Sequence, residues 1–395
     1  MRVLELFAGY GSQALALENL DIDFTSDISE IDKYAIQAYE QLHGKTHNWG
    51  DITKIDETKL PYYDLITYSS PCQDFSVAGL GKGGDAGSGT RSSLLWECER
   101  IIRAVKPKYL LMENVKNLVG EKHKHNFIRW LHVLEMMGYQ NYWKVLNAKD
   151  YDVPQNRDRV FVVSILGCQQ YLFPNPIKLT KRLKDILESD VDEKYYLSNK
   201  LIQGFLRKND SFSKKGINIR NDKDYASCLT ARMHKMGIAD NYIQEPLAYD
   251  EQNEYIRKDG TVGTITTDGS TPKHNNRVIE PCVLQLGNIV ETGNWDNPER
   301  GRIYSDEGVS PALSTMQGGG LEPKIFKNYR IRKLTPRECW RLMGVRDEQF
   351  DKLHDLSNTQ LYKLAGNSIV VDVLMGIFKN LFVSDEEATG QLRLL

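Results

Sequence analysis

The sequence predicts an α/β protein: a doubly wound, mostly parallel sheet with a second, smaller β-rich domain. Three observations predict it. Short apolar runs recur at Val3–Phe7, Asp64–Thr67, Tyr109–Met112 and Val160–Ile165, with helical stretches between them. From about Asn175 the helical periodicity fades, and Gly, Asn, Asp and Thr become common. Near Arg330 the alternating texture returns. The expected division is therefore 1–174 for a first part of the main domain, 175–325 for the second domain, and 326–395 for a return to the first.

Taken in order, Val3–Phe7 is a strand and Ala8-Gly9-Tyr10-Gly11 turns it into a helix over Ser12–Leu20. Gly9 and Gly11 permit a tight turn with the backbone close to a ligand. Asp27 and Glu30 follow about twenty residues later, the spacing of a second strand end that bonds ribose hydroxyls. Gly9-x-Gly11-x-x-Ala14 fits a dinucleotide fingerprint, but this pattern alone does not choose between a nicotinamide and another nucleoside. Ile31, Tyr34, Ala35, Ala38, Tyr39 and Leu42 form a helical stripe, more in keeping with core than with a cofactor box. Asp51 reads as a turn residue or as an acceptor for an adenine amino group, with Ile52 against the ring.

The next strand leads into Tyr68-Ser69-Ser70-Pro71-Cys72-Gln73, so Cys72 is expected just past a strand's carboxyl end, where open α/β sheets place ligands. Pro71 stiffens that turn. Six glycines in Gly79–Gly89 mark a loop rather than an element interior, either a lid or a plain connection. Helices are expected over Ser92–Val105 and Asn126–Met137. Glu113-Asn114-Val115 and Gln155-Asn156-Arg157-Asp158-Arg159 are expected to follow further strands. Thiol, carboxyl and guanidinium then sit on neighbouring loops around one pocket. In the second domain Ser227–Ala231, Gly263–Thr267 and Pro311–Thr315 resemble one another, each followed by Glu-Pro, and read as related β-rich units. Thr335-Pro336 opens a helix with proline in its first turn, and Ile369–Phe382 is a long apolar helix.

Composition is that of a globular chain: 41% hydrophobic and 26% charged, with a net charge of −2. No run was expected to span a membrane, and Met1-Arg2-Val3 leads directly into a strand rather than a signal peptide. Six cysteines without CxxC or His pairing fit a reducing cytosol and argue against a structural zinc site. The charge balance does not favour nucleic acid, so a DNA-binding reading rests on local clusters. Lys178–Lys184 is one, and Lys324–Arg346, with eight Lys or Arg, is another.

With these residues in place, the chain resembles the cytosine-C5 DNA methyltransferases of bacterial or phage restriction-modification type. Phe7–Gly11 resembles that family's cofactor loop, Pro71-Cys72-Gln73 its nucleophile motif, and Glu113-Asn114-Val115 its base-binding carboxylate. Gln155–Arg159 resembles its arginine pair, and Arg332–Cys339 and Gly366-Asn367-Ser368 its last two motifs. Six motifs in the family's order cover residues 1 to about 166 and about 300 to 382. The resemblance implies the S-adenosylmethionine-dependent methyltransferase fold with a smaller target-recognition domain. It implies S-adenosylmethionine as cofactor, no metal, and duplex DNA as partner. It further implies a monomer in a bacterial or phage-infected cytoplasm, associated with the nucleoid; whether a cognate restriction endonuclease accompanies it stays open. By position, Phe7, Gly9, Gly11, Glu30, Ile31, Asp51, Ile52, Pro71, Leu94, Asn367 and Ser368 would line the cofactor site. Ile31 stands where the family often has an aromatic, and Ser69-Ser70 departs from the usual residues.

The implied catalytic set is Cys72, Glu113, Arg159 and Arg157. A thiolate at Cys72 would add to cytosine C6, Glu113 would donate to N3, and Arg159 would hold O2. Arg157 would organise the loop or meet phosphate. Gln73, Ser76, Arg300, Arg302, Gly318, Gly319 and Gly320 are the candidate DNA contacts, with Ala312 standing where the second recognition loop usually has Thr. The alternatives are an RNA cytosine methyltransferase with the same core, a nicotinamide oxidoreductase resting only on Gly9-x-Gly11-x-x-Ala14, and a DNA-binding relative without catalysis.

Overall fold

The computed structural model describes residues 1–70, 94–196, 219–220, 225–229, 231, 241–246, 248–250, 255–257, 285–288, 302–305, 324–326 and 329–383. The chain divides into two compact units. The first comprises Met1–Glu188, Lys223–Asn241 and Leu334–Leu395, and the second Ser189–Asp222 and Tyr242–Lys333. These bounds differ from the single 175–325 block expected from texture, because Lys223–Asn241 belongs to the first unit.

The first unit is built on a six-stranded sheet. Its strands are β1 (Arg2–Leu6), β2 (Thr25–Ser29), β3 (Leu65–Tyr68), β4 (Tyr109–Val115), β5 (Tyr139–Asn147), a short β6 (Gln155–Asn156) outside this sheet, and β7 (Asp158–Leu166). The order is β2-β1-β3-β4-β7-β5. β1 lies parallel to β2 and β3, and β3 parallel to β4. The mostly parallel α/β sheet is thus as expected, and its central strands are apolar because both faces are covered: Leu65, Ile66 and Tyr68 are fully buried. Chain order reverses about β1, so the carboxyl ends of β1, β2 and β3 frame a switch-point crevice.

One strand corrects the simple β-α reading: β7 runs antiparallel to both β4 and β5. Glu113 pairs with Phe161 and Val115 with Arg159, so Glu113 lies inside β4 and Arg159 inside β7 rather than beyond strand ends. Only a short 3-10 turn (Ala148–Tyr151) and β6 separate β5 from β7, so the return is a broad antiparallel pair.

Helices α1 (Ser12–Glu18), α2 (Lys33–His43), α3 (Leu95–Val105) and α4 (Lys124–Met136) follow the apolar periodicity. α2 begins later than its stripe suggests because the Asp32 side chain caps it, accepting from the Tyr34 N–H at 3.0 Å. α5 (Pro336–Arg341) opens with the expected proline. Thr335 and Glu338 cap it reciprocally: Glu338 N–H donates to Thr335 Oγ1 at 3.2 Å, and Thr335 N–H to Glu338 Oε2 at 2.8 Å. α6 (Asn358–Asn367) and α7 (Val371–Phe378) close the unit. Contrary to expectation, the stretch Asn358–Val383 is long and apolar enough to cross a membrane by composition alone. Val371, Val373, Leu374, Ile377 and Phe378 on it are buried in the protein, as suits core helices.

In the second unit, Tyr242–Pro246 pairs antiparallel with Tyr329–Lys333 and parallel with Ile219–Arg220. Ala248–Asp250 and Tyr255–Arg257 pair antiparallel, and Gln285–Asn288, Arg302–Ser305 and Lys324–Phe326 form a further sheet. Of the resembling pieces, Ser227 lies in a strand of the first unit, whereas Gly263–Thr267 and Pro311–Thr315 fall outside the described residues.

Candidate active site

Three loops meet at the switch point. After β1, Phe7 takes φ +58°, and Gly9 and Gly11 take +61° and +81°. The glycines bear out the tight turn. Phe7 is a bulky residue held in the left-handed region, an arrangement that costs energy and clusters at functional sites. A Cβ at Gly9 would meet nothing within 4 Å, so there is room beside that backbone. A Cβ at Gly11 would lie 2.5 Å from His43 Nε2, so the helix behind the loop requires glycine there.

After β2, the Glu30 carboxylate accepts from Gly9 N–H at 2.9 Å, Ile31 N–H at 2.8 Å and Asp32 N–H at 2.9 Å. Ile31 is 73% exposed beside it, an apolar side chain facing outward. Asp27, the other acidic residue at this strand end, is engaged elsewhere: it is buried, bonded by Arg2 and by the Tyr63 hydroxyl. In the third loop Asp51 caps a short 3-10 turn, accepting from Thr53 N–H at 3.1 Å and Thr53 Oγ1 at 2.8 Å. Those hydroxyl and amide donors hold its carboxyl below the usual range. Ile52 is buried in the apolar core, and Leu94 and Phe7 are partly buried against the same core. Ser368 donates to Ser12 Oγ at 3.2 Å, bringing the turn between α6 and α7 beside the first loop, with Asn367 exposed next to it. Pro71 lies outside the described residues.

The acid and the cation form one buried pair. Arg159 Nε lies 3.0 Å from Glu113 Oε1, with side chains only 16% and 10% exposed. Burial pushes the Glu113 carboxyl above the ordinary carboxylate range, although Arg159 and Arg157 pull it down. The guanidinium of Arg159 is aimed by its Nη1, which donates to the Asp158 carbonyl at 2.8 Å. Next to Glu113, Asn114 donates through Nδ2 to the Ser70 carbonyl at 3.2 Å and to Ser70 Oγ at 3.4 Å. That bond fixes the backbone two residues ahead of Cys72. Cys72, Gln73, Ser76, Arg300 and Gly318–Gly320 lie outside the described residues, and so does the Gly79–Gly89 loop. Arg302 opens the strand Arg302–Ser305, paired with Asn288.

Of the two roles left open for Arg157, its contacts match the loop-organising one. It is 3% exposed. Nη1 donates to the Leu229 carbonyl at 3.2 Å, and Nη2 donates to the carbonyls of Gly366, at 3.1 Å, and Ser368. With its Nη donors on main-chain carbonyls and its Nε buried without a partner, it ties its own loop to the Leu229 and Gly366–Ser368 segments instead of presenting itself to a phosphate.

Three residues escaped the sequence reading. Asn48 bonds Glu30 and Gly50 through its side chain. Fully buried Gln155 accepts from Leu229 N–H at 3.1 Å and donates to the Leu342 carbonyl at 2.8 Å. The Cys228 thiol lies 3.4 Å from Arg157 Nη1 and 3.8 Å from Arg159 Nη2. Those guanidiniums hold its pKa below the usual thiol value although burial opposes them. Gln155 lies in a catalytic motif and Cys228 in a repeat that gives it no chemical role; Asn48 carries no local signal, and it and Cys228 are recognised by what they touch. Among the described residues, no group of three or more His, Cys, Asp or Glu could hold a metal ion.

Comparison with known proteins agrees with this geometry. The family model described as C-5 cytosine-specific DNA methylase matches residues 1–383. Type II methyltransferase M2.ScrFI of Lactococcus lactis subsp. cremoris is 36% identical, over 97% of this chain and 99% of its own. Orphan methyltransferase M.SPRI of Bacillus phage SPR is 30% identical, over 96% of this chain and 97% of its own. Type II methyltransferase M.HhaI of Haemophilus parahaemolyticus is 30% identical, over 96% and 94%. Among solved structures, the Entamoeba histolytica methyltransferase EhMeth superposes with a TM-score of 0.65 at 17% identity, covering 97% of this chain and 98% of its own. The S. pombe Dnmt2 methyltransferase gives 0.62 at 18% identity, covering 96% and 97%. At those identities the likeness is one of fold, and it agrees with the mostly parallel sheet described above. A family match that runs through both units, together with relatives aligned nearly end to end, places the chain in the C-5 cytosine-specific DNA methylase family, and it is a DNA cytosine methyltransferase.

Proposed function

We propose that the protein methylates C5 of a specific cytosine in duplex DNA through a covalent bond between Cys72 and cytosine C6. The observation that carries this reading is the buried Glu113–Arg159 pair, tethered through Asn114 to Ser70 just ahead of Cys72. The residues of the three loops suit an adenosine cofactor: open space beside Gly9, the carboxylate of Glu30, and an outward apolar face at Ile31. S-adenosylmethionine held there supplies an electrophilic methyl group.

The chain's own residues do the rest. Cytosine C5 is too electron-poor to be alkylated directly, and addition of a thiolate at C6 makes it an enamine carbon. Cys72 suits this step because a thiolate both attacks and leaves well: once C5 carries the methyl group, its proton is lost to water and the C6–S bond breaks to return the thiolate. Addition drives charge toward N3 and O2. Glu113, its carboxyl pushed above the ordinary range by burial, donates at N3 in its protonated form, and Arg159 places a fixed cation at O2. A base inside a duplex is out of reach of these groups, so it must be flipped out. Sequence reading falls to the second unit and to Arg300, Arg302 and Gly318–Gly320, because an arginine fork matches guanine O6 and N7. Gln73 and Ser76, flanking the nucleophile, meet the DNA at the flipped base.

The test is bisulfite sequencing of plasmid DNA from cells expressing the protein, with purified Cys72→Ala as control. Conversion-resistant cytosines at one sequence context, absent with Cys72→Ala, are expected. DNA carrying 5-fluorocytosine at that site should stay covalently attached on a denaturing gel only when S-adenosylmethionine is present. Methyl transfer to tRNA in preference to duplex DNA would overturn the substrate assignment, and the absence of a cofactor-dependent shifted band would overturn the covalent route.

A further inference from the structure

We propose that Asn48 is a positioning residue that locks the main chain of Glu30 to the Gly50-Asp51 turn, so that the ribose and adenine ends of the cofactor are held in register. The inference rests on the reading of Glu30 as the ribose-binding carboxylate.

Main-chain pairing brings the two segments together but stops short of Glu30. The Ile28 N–H donates to the His47 carbonyl at 2.9 Å, and the Trp49 N–H to the Ile28 carbonyl at 2.8 Å, forming a single parallel bridge between Ile28 and Asn48. Beyond Ser29 the backbone of β2 ends and the Asn48 side chain takes over. Its Oδ1 accepts from the Glu30 N–H at 3.2 Å, and its Nδ2 donates to the Glu30 carbonyl at 3.1 Å. A carboxamide thus reproduces both bonds that a neighbouring strand would make to the Glu30 peptide. The same Oδ1 accepts from the Gly50 N–H at 2.9 Å, using its second lone pair. Ser29 closes the loop, its Oγ donating to the Gly50 carbonyl at 2.8 Å.

The network then runs without a break across all three loops. Gly9 N–H is bonded to the Glu30 carboxylate, the Glu30 peptide to Asn48, and Asn48 to the Gly50 turn that leads into Asp51. Gly50 takes φ +71°, so that turn is built for one geometry rather than a range. Residues that contact two ends of a ligand gain from a shared frame, because the relative placement is then settled before binding. Asn is suited to this post because it offers a donor and a two-lone-pair acceptor on one short stem.

The test uses the full-length enzyme and four measurements on each variant: melting temperature, the Kd for S-adenosylhomocysteine and for adenosine by calorimetry, the KM for S-adenosylmethionine, and kcat with the KM for DNA. Asn48→Ala is expected to weaken S-adenosylhomocysteine and adenosine by the same factor, about tenfold for the three lost bonds. The KM for S-adenosylmethionine should rise in parallel, with kcat at saturation and the KM for DNA unchanged. Asn48→Asp, which keeps the acceptor but loses the donor, should fall between wild type and Asn48→Ala. Should Asn48→Ala fail to fold, Asn48→Ser carries the same comparison. Unchanged cofactor affinity overturns the inference, and so does a fall in kcat and a rise in the DNA KM that match the loss of melting temperature. Glu30→Gln separates the two readings. If it leaves adenosine binding intact, the ribose assignment fails and this inference with it. If it weakens binding while Asn48→Ala does not, only the role of Asn48 falls.

Discussion

Glu5 sits in β1 directly before the Phe7–Gly11 loop, fully buried, and its titration should set a pH limit on stability. Its Oε1 accepts from the Tyr39 hydroxyl at 2.6 Å, while Oε2 has no hydrogen-bond partner. Desolvation dominates over that bond and over nearby His43, pushing the carboxyl up from 4.5 to about 7. Around it lie Tyr39 and His43 of α2 and Glu18 of α1, with His43 Nδ1 2.6 Å from Glu18 Oε1. A carboxyl raised in the folded state stabilises fully below its unfolded value and loses that contribution as pH rises through its folded value. The difference amounts to about 3 kcal/mol, of which about 2 kcal/mol falls between about pH 5.5 and pH 8. Glu5→Gln keeps an acceptor for Tyr39 and cannot ionise. Urea denaturation of both proteins, followed by tryptophan fluorescence across that range, isolates the effect as the change in their stability difference. The variant should gain on wild type by about 2 kcal/mol as the pH rises. Stability curves that stay parallel from about pH 5.5 to pH 8 would refute the reasoning, since they would mean that Glu5 does not titrate there.

Three further outcomes follow from the site. Glu113→Gln should lower single-turnover methyl transfer by about 10²–10⁴-fold. Because the Glu113 carboxyl is raised by burial, the wild-type rate should fall as pH increases and Glu113 ionises, and the variant should lose that alkaline limb. Gly11→Ala, at φ +81° with His43 and Tyr39 against the added Cβ, should cost about 1–3 kcal/mol of stability and weaken cofactor binding, read by melting temperature and calorimetry. Arg157→Lys, which cannot reach the carbonyls of Leu229, Gly366 and Ser368 with one fork, should destabilise the fold by about 3 kcal/mol in denaturant titration. Full stability with lost catalysis would instead mark Arg157 as a substrate contact.

The sequence was most legible where one local rule decides the outcome. Thr335-Pro336-Arg337-Glu338 carries its cap in its own side chains, and the helix starts there. Val160–Ile165 is apolar at nearly every position, and β7 is buried on both faces. Direction is a different matter: an apolar run reads the same parallel or antiparallel, so the reversal of β7, and the placing of Glu113 and Arg159 inside strands, left no local mark. Phe7 was expected as a strand residue and adopts φ +58°, since only the path of the chain after β1 demands that conformation. Cys228 was read with a repeat of the second domain. Its neighbours Leu229 and Asn241 show why it is not: Gln155 and Arg157 hold Leu229, and Asn241 pairs with Ser227, binding the segment to the first unit. Such long-range partners are invisible until the chain is folded.

Arg157 and Arg159 show how far residue type underdetermines role. They are two residues apart in the same motif, yet they serve different partners. Asp158 opens β7 between them, and the register of that strand opposes Arg159 to Val115, next to Asn114 and one residue beyond Glu113's neighbour. Arg159 is thereby left with a carboxylate at 3.0 Å. Arg157 precedes the strand and meets carbonyls from residues 229, 366 and 368 instead. A guanidinium whose Nη atoms are bonded to carbonyls is fixed in place, and a guanidinium beside a buried carboxyl polarises it. The second arrangement does chemistry only if the first holds the wall in place, because Arg157 joins the segment carrying Cys228 to the segment carrying Asn367 and Ser368. Loss of Arg157 should therefore disturb cofactor binding and catalysis together, whereas loss of Arg159 should act on turnover with the cofactor still bound.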